Sequence, residues 1–241
     1  MIRALSTLGN PQRFLAVSGP AAAIAGAAAA GLLAVGLWMT FTVPEDYQQF
    51  DTVRIMFVHV PAAYLAALVY VVLAGASLVG LVWRSLVADC AARAAAPLGA
   101  AFTLLALVTG SLWGRPMWGT WWVWDARLTS VLVLLLFYLG YLAVLAAIED
   151  ETKAVRAAGV LALIGVVNLP IVKFSVDWWN TLHQPASVFR AGGSALAPEY
   201  GRTLLLMALA YTALFLALWL VRTRAELRRR RVSLLQARAL A

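Results

Sequence analysis

Six long apolar segments dominate this sequence and restrict it to a membrane. Each is about as long as the roughly 20 residues that an α-helix needs to cross the hydrocarbon core of a bilayer. Overall, 63% of the 241 residues are hydrophobic and 12% are charged, whereas soluble domains average about 45–50% apolar and about 25% charged residues. The sequence therefore predicts an all-α integral membrane protein with six transmembrane helices, at about residues 20–41, 55–82, 95–112, 128–148, 157–175 and 203–221.

The lysine and arginine residues predict the orientation of these helices. Thirteen of the 19 lie before the first helix, in the connections 83–94 and 149–156, or after the sixth helix, and seven of those thirteen follow the sixth helix. Because lysine and arginine favour cytoplasmic loops, we expect both termini to be cytoplasmic. The predicted parts of the chain are a six-helix transmembrane domain (1–221), which includes a tryptophan-rich outer loop (113–127), and a basic cytoplasmic tail (222–241).

Charge and cysteine content exclude several classes of function. The net charge of +8 is concentrated in the tail, where it favours an anchor on anionic lipid rather than nucleic-acid binding. The single cysteine, Cys90, excludes an intrachain disulfide and any C-x-x-C-H site. We expect Cys90 to be an inert residue in the short loop 83–94. The sequence has no G-x-x-x-x-G-K-[ST] loop, so any ATP would be bound by a partner.

The outer loop has the most unusual composition in the chain. Five of the ten tryptophans fall within residues 113–124, and four of them lie in the first seven residues of WGTWWVWDARLTS (118–130). Tryptophan is common in interfacial belts, but consecutive residues of a regular backbone cannot all face lipid. The cluster therefore favours an aromatic platform that holds a large planar ligand. Its expected members are Trp118, Trp121, Trp122 and Trp124.

Charged side chains accompany this platform. Asp125 is expected either to cap the fourth helix or to pair with Arg127. Arg54, Arg115 and Arg127 all lie in outer connections. There, a guanidinium group can bind a carboxylate-bearing ligand, although a single arginine can equally contact lipid headgroups or solvent.

Both histidines of the chain fall on the same outer side. His59 lies in RIMFVHVPAAY, at the outer end of the second helix, and His183 lies in FSVDWWNTLHQPAS, in the third outer connection. Gly192 and Gly193 in that connection lead us to expect a loop that opens, while His59 stays on a rigid helix. A planar, carboxylated, iron-bearing ligand would use the aromatic, cationic and imidazole groups together, since haem iron accepts axial histidines. Zinc, which prefers four ligands, fits two histidines less well.

These three motifs resemble those of a known family. WGTWWVWDARLTS is similar to the tryptophan-rich WWD signature of haem-handling membrane proteins, and the two histidine segments resemble those that accompany it. Length, six spans and motif order resemble the haem exporter protein C family of system I cytochrome c maturation, over roughly residues 50–220. The larger haem–apocytochrome lyases share the signature but are far longer and carry extra histidines within the membrane, so we do not expect a ligase.

The resemblance implies a haem-handling subunit of a bacterial inner membrane, with its active face in the periplasm. It implies haem b as a transient cargo, with His59 and His183 as axial ligands and the four tryptophans as the platform. Asp125 and Arg127 match the motif, with less defined roles. The implied partners are a membrane-anchored haem chaperone that captures haem covalently, an ABC-type ATPase, a second membrane subunit and a small single-span subunit. The chain itself is expected not to be an enzyme.

Other functions remain open from the residues alone. A b-type electron-transfer subunit would place histidine pairs at bilayer depth, whereas both histidines here are at the outer side. A solute permease would carry ionisable or polar groups within its spans, where Lys173 and Asn168 are the only candidates, and Lys173 can reach the interface. A membrane hydrolase or transferase would need a nucleophile with a base, or a metal, and neither histidine has such a set.

Overall fold

A computed structural model describes residues 9–183 and 196–239. The regular elements of these residues are helices, preceded at α2 by a short 3-10 helix, Asp51–Ile55. Six segments are long and apolar enough to cross a membrane, with α5 and α6 together forming the fifth, so the predicted six-helix fold is confirmed. The helices are α1 Pro11–Thr42, α2 Met56–Trp83, α3 Leu86–Trp118, α4 Ala126–Ala147, α5 Glu151–Gly165, α6 Asn168–Trp178 and α7 Pro198–Ala239.

Helices α2 and α3 form the centre of the bundle. Helix α7 packs against both on one side and α1 packs on α7, while α4 and α5 pack on the other side and α6 packs on α4. The core between them contains fully buried aromatic and aliphatic side chains, including Phe57, Leu65, Tyr70, Leu134 and Tyr138. As a result, one end of the bundle brings together the ends of α2, α3, α4 and α6.

The two ends of the described chain lie at the same end of the bundle. Arg224 of α7 donates hydrogen bonds to the Leu15 carbonyl and to Ser18 Oγ of α1. At the opposite end, the Tyr200 hydroxyl donates to the Pro44 carbonyl (3.0 Å). We call the end of the bundle at Arg224 the terminal end and the end at Tyr200 the site end. The site end carries the connections 43–50, 119–125 and 179–183.

The prediction of a loop over residues 83–94 is wrong. Only Arg84 and Ser85 separate α2 from α3, and Arg84 adopts a left-handed conformation with φ of 51°. The Ser85 hydroxyl accepts the Ala88 N–H (3.4 Å), which caps a helix that already begins at Leu86. Cys90 consequently lies in α3 and not in a loop, fully buried beside Leu227 of α7.

A cluster of ion pairs accommodates the charge of Arg93 in this helix. Arg93 of α3 pairs with Glu151 of α5 (3.2 Å) and Glu226 of α7 (3.5 Å). Arg229 pairs with the same two glutamates, at 2.7 and 3.0 Å, and Arg230 lies 3.1 Å from Glu151. The charge of Arg93, which lowers the hydropathy of 86–94, is therefore paired at the bundle's terminal end. We call these five residues the terminal ion cluster.

The fifth span is also not the continuous helix predicted over 157–175. It breaks at Val166–Val167, where the backbone makes tighter bonds from Val166 N to the Leu163 carbonyl (3.2 Å). At the break, a Cβ on Gly165 would lie 1.9 Å from the Tyr70 hydroxyl. Only glycine therefore allows α5 to approach α2 this closely.

Helices α1 and α7 are longer than predicted. Helix α1 begins at Pro11, where Asn10 caps it by accepting the N–H of Gln12 and Arg13. Helix α7 runs without interruption through residues 222–239 of the expected tail.

Candidate functional site

His59 is held in a fixed orientation by α3. Its Nδ1 lies 3.0 Å from the Ala106 carbonyl oxygen and 3.2 Å from Thr109 Oγ1. Because a carbonyl can only accept, Nδ1 must carry the proton, which leaves the lone pair on Nε2. Metal-binding histidines are commonly oriented in this way by a carbonyl behind the ring. His59 therefore has a defined nitrogen available to a ligand.

The surface of α3 is shaped to accept this ring. A Cβ on Gly110 would lie 3.0 Å from His59 Cε1, so the absence of a side chain makes room for the imidazole. Trp113 meets the His59 ring edge-on, with centroids 5.7 Å apart, and its Nε1 donates to Gln49 Oε1 (3.0 Å). Gly110 and Trp113 thus form a slot around His59.

His183 reaches the same helix from the other side of the site. It follows α6, and its ring centroid lies 5.0 Å from that of Trp118. Burial lowers the pKa of His183 to about 4, and the nearby positive charge of Arg127 acts in the same direction. The imidazole is therefore neutral at pH 7. Its Nδ1 is buried and has no hydrogen-bond partner within residues 9–183 and 196–239.

Both histidines lie against one face of the site end of α3. The Trp118 ring packs over Gly114, where a Cβ would lie 3.0 Å from Trp118 Cε3. Gly110 and Gly114 are one helical turn apart, about 6 Å along the axis. His59 contacts α3 at the first glycine, and His183 contacts the ring that covers the second. The structure thus brings the two predicted iron ligands to adjacent turns of one helix.

The tryptophan-rich stretch is part helix and part loop, and its members face different ways. Helix α3 includes residues 113–118 and ends at Gly119, which has a positive φ of 75°. Trp118 and Trp122 are half-buried, whereas 56% of Trp121 and 75% of Trp124 are exposed. Trp122 contacts Trp124 edge-on at 5.4 Å. Its own Nε1 is buried without a partner in the described residues.

Asp125 and Arg127 connect this loop to α6. Asp125 Oδ1 accepts the Leu128 N–H (2.7 Å), so the predicted helix cap is confirmed. Arg127 donates from Nε to Ser175 Oγ (2.8 Å) and from Nη2 to the Lys173 carbonyl (3.3 Å). Within the described residues Arg127 forms no ion pair with Asp125. Its guanidinium instead clamps α6 onto the start of α4.

The other two arginines of the predicted outer connections also have partners in the protein. Arg54 pairs with Asp51 at 2.6 Å. Arg115 donates to the Gly119 carbonyl, and its guanidinium lies over the Trp121 ring, 6.0 Å from the centroid. Both therefore help to hold the backbone and the rings of the site end.

Several residues of the site were not singled out from the sequence. Gly110 and Gly114 have a four-residue spacing at the end of an alanine-rich helix, and that spacing was the available signal. Asn168, considered above as part of a solute path, is buried and donates to the Ser130 carbonyl (2.9 Å). Ser175 and Thr181 gave no signal, since their partners are distant in sequence. Gly192 and Gly193 lie outside the described residues.

Comparisons with known proteins agree with the motifs. The family model described as "Heme exporter protein C" matches residues 4–238. A protein of that name from Bradyrhizobium diazoefficiens is 59% identical over 232 residues, covering 96% of this chain and 88% of its own. The namesake from Paracoccus denitrificans is 47% identical and covers 95% of both chains. That of Escherichia coli K12 is 52% identical over 76% of both chains.

Proposed function

Because this chain belongs to the haem exporter protein C family, a multi-pass membrane family of haem export and cytochrome c maturation, we propose that it binds haem b at the site end and presents it to a partner. In this proposal the site end faces the periplasm and both termini lie in the cytoplasm, as the distribution of arginine favours. The observation that carries the proposal is that His59 of α2 and His183, which follows α6, lie against adjacent turns of α3, at Gly110 and at the Trp118 ring over Gly114.

His59 and His183 would be the axial ligands of the haem iron. Haem iron accepts neutral imidazole nitrogens on both faces of its ring. His59 offers Nε2, because Nδ1 is committed to the Ala106 carbonyl. His183 offers a neutral ring whose buried Nδ1 has no partner in the described chain. A buried polar atom without a partner costs free energy, so a bound ligand that engages this ring would stabilise the site.

The tryptophans would divide the work of binding and presentation. Trp118, which contacts the His183 ring, and Trp122 are half-buried and would pack against the macrocycle. Trp121 and Trp124 are largely exposed and would form the face that the partner approaches. A carrier needs this division, since one edge of the haem must stay accessible for transfer.

The charged residues would keep this platform in place. Asp125 caps α4 and Arg127 clamps α6, so both support the loop that carries the tryptophans. Arg115 adds positive charge at the same end, whereas the charge of Arg54 is balanced by Asp51. That charge would suit the carboxylates of a haem-like ligand.

The partners follow from the proposed role. The recipient would be a membrane-anchored periplasmic haem chaperone that captures haem covalently. An ABC-type ATPase, a second membrane subunit and a small single-span subunit would complete an exporter complex in the bacterial inner membrane. The covalent step would belong to the recipient, and this chain would act as a binding subunit and not as an enzyme. Nucleic acid has no part in the proposal.

A pyridine haemochrome assay on the purified protein tests the proposal. The wild type, isolated with its partners co-expressed, is expected to contain haem b. A Trp121/Trp122/Trp124 triple alanine variant is expected to lose haem more readily and to transfer less of it to the chaperone. A well-folded wild type that never contains haem would refute the proposal.

A further inference from the structure

We propose that Thr181 is a positioning residue that fixes His183, acting as a bridge between the Asp125 carboxylate and the His183 backbone. This inference rests on the proposed function, because His183 is assigned there as an iron ligand. The Thr181 hydroxyl donates its hydrogen to Asp125 Oδ2. The same oxygen accepts the backbone N–H of His183 (3.1 Å).

The two carboxylate oxygens of Asp125 serve different elements. Oδ1 accepts the Leu128 N–H and so caps α4 (2.7 Å), while Oδ2 accepts the Thr181 hydroxyl. Since α4 is a long helix packed against α3 and α5, its N-terminus is a fixed point. Hydrogen bonds to a charged acceptor are stronger than those between neutral groups. Thr181 is therefore tied to the most rigid nearby element.

The segment that carries His183 has few other restraints. Helix α6 ends at Trp178, and Trp179 and Leu182 are 52% and 50% exposed. Trp179 donates its N–H to the Ser175 carbonyl at the end of α6 (3.1 Å). Beyond that cap, the bond from Thr181 to Asp125 is the one hydrogen bond from residues 179–183 to another element within the described chain. The segment also makes ring contacts, of Trp179 with Trp178 and of His183 with Trp118. The Thr181 hydroxyl is therefore the hydrogen-bonding group that ties the backbone of His183 to α4.

Helix α6 is held on α4 by contacts that do not involve Thr181. Arg127 bonds to Ser175 and Asn168 bonds to the Ser130 carbonyl, so α6 is already fixed on α4 without Thr181. Removing the Thr181 hydroxyl is expected to free residues 179–183 while leaving α6 in place. The effect should therefore appear at His183 and not in the fold.

The test compares Thr181→Val with Thr181→Ser in the full-length protein. Valine keeps the shape and removes the hydroxyl, whereas serine keeps the hydroxyl. Loss of a partner that orients a metal ligand weakens metal binding by about 10–100-fold. We expect Thr181→Val to release haem b to an apomyoglobin scavenger about 10-fold faster or more, with a shift from the low-spin spectrum towards a high-spin one. Thr181→Ser should behave as the wild type.

The matched control is Thr129→Val. Thr129 lies in the first turn of α4, and its hydroxyl makes no hydrogen bond to the described residues. An unchanged release rate in Thr181→Val, an equal defect in Thr129→Val, or a failure of Thr181→Ser to restore the wild-type rate would each overturn the inference.

A second measurement needs no haem. A spin label on Leu182→Cys, in a Cys90→Ala background, reports the motion of the segment by electron paramagnetic resonance. We expect Thr181→Val to increase the mobility of the label and Thr181→Ser to leave it unchanged. A haem-free wild type would refute the proposed function, but the label would still test the bridge. Equal mobility in all variants would refute the bridge even where haem is bound.

Discussion

The slot at Gly110 permits a test in which the fold is kept and the site is blocked. In Gly110→Ala, the new methyl carbon would lie 3.0 Å from His59 Cε1. Carbon atoms prefer separations of about 3.5–4.0 Å, so the ring would have to retreat by about 0.5–1 Å. The bond from His59 Nδ1 to the Ala106 carbonyl is 3.0 Å long, and a retreat of that size would stretch it beyond the roughly 3.2 Å limit of a good hydrogen bond.

The expected result is a loss of haem without a loss of structure. Alanine is a better helix former than glycine, so α3 should remain intact. Disturbing the orientation of a metal-binding histidine reduces affinity by about 10–100-fold, which corresponds to about 1.4–2.8 kcal/mol. We would measure the haem content of the purified variant and its rate of haem loss to apomyoglobin, beside its thermal unfolding midpoint in detergent.

Gly75→Ala is the matched control for this variant. Gly75 lies inside α2, and no described heavy atom lies within 4 Å of the position that its Cβ would take. It should retain haem as the wild type does. If Gly110→Ala also retained haem with wild-type kinetics, the argument that α3 forms a slot for His59 would be wrong.

Three further predictions concern other parts of the bundle. Glu151→Gln should weaken the terminal ion cluster and lower stability by about 1 kcal/mol, since partly exposed pairs contribute little each. That would lower the unfolding midpoint by about 2–4 °C, with an unchanged haem spectrum; a changed spectrum would contradict it. Gly165→Ala should lower the free energy of unfolding by about 1–3 kcal/mol through overpacking against Tyr70. Tyr70→Phe removes a hydroxyl that has no partner in the described residues, so adding it should restore part of the lost stability in denaturant titrations. Trp122→Ala should reduce haem retention, whereas Trp124→Ala should keep haem and reduce transfer to the chaperone; identical defects in both would argue against separate roles.

The features predicted correctly from the sequence are those that depend on local chemistry. The number of spans follows from the length of each apolar run, because a bilayer sets that length. Asp125 was recognisable as a helix cap, since its side chain only has to reach the N–H three residues ahead. The placement of both histidines at the same end of the bundle was also visible in the order of the chain.

The features that the sequence did not predict depend on distant partners. Residues 86–94 contain Asp89 and Arg93 and were therefore left out of the predicted span, whereas Arg93 finds Glu151 and Glu226 on other helices. The break after Gly165 had a local signal in Pro170, which has no N–H to donate to the Val166 carbonyl; the close approach of Gly165 to the Tyr70 hydroxyl of α2 had none. The direction of each tryptophan likewise depends on its packing, such as that of Trp118 against Gly114 and His183, which residue spacing in a loop does not determine.

The most direct test of the account is the axial ligation of haem in the purified protein. Resonance Raman spectra of the wild type, His59→Ala and His183→Ala would identify the spin and coordination state of the iron. We predict a six-coordinate, low-spin iron in the wild type and the loss of that state in each variant, restored by added imidazole. A spectrum that is unchanged in either variant would show that this histidine does not bind iron and would contradict the central claim.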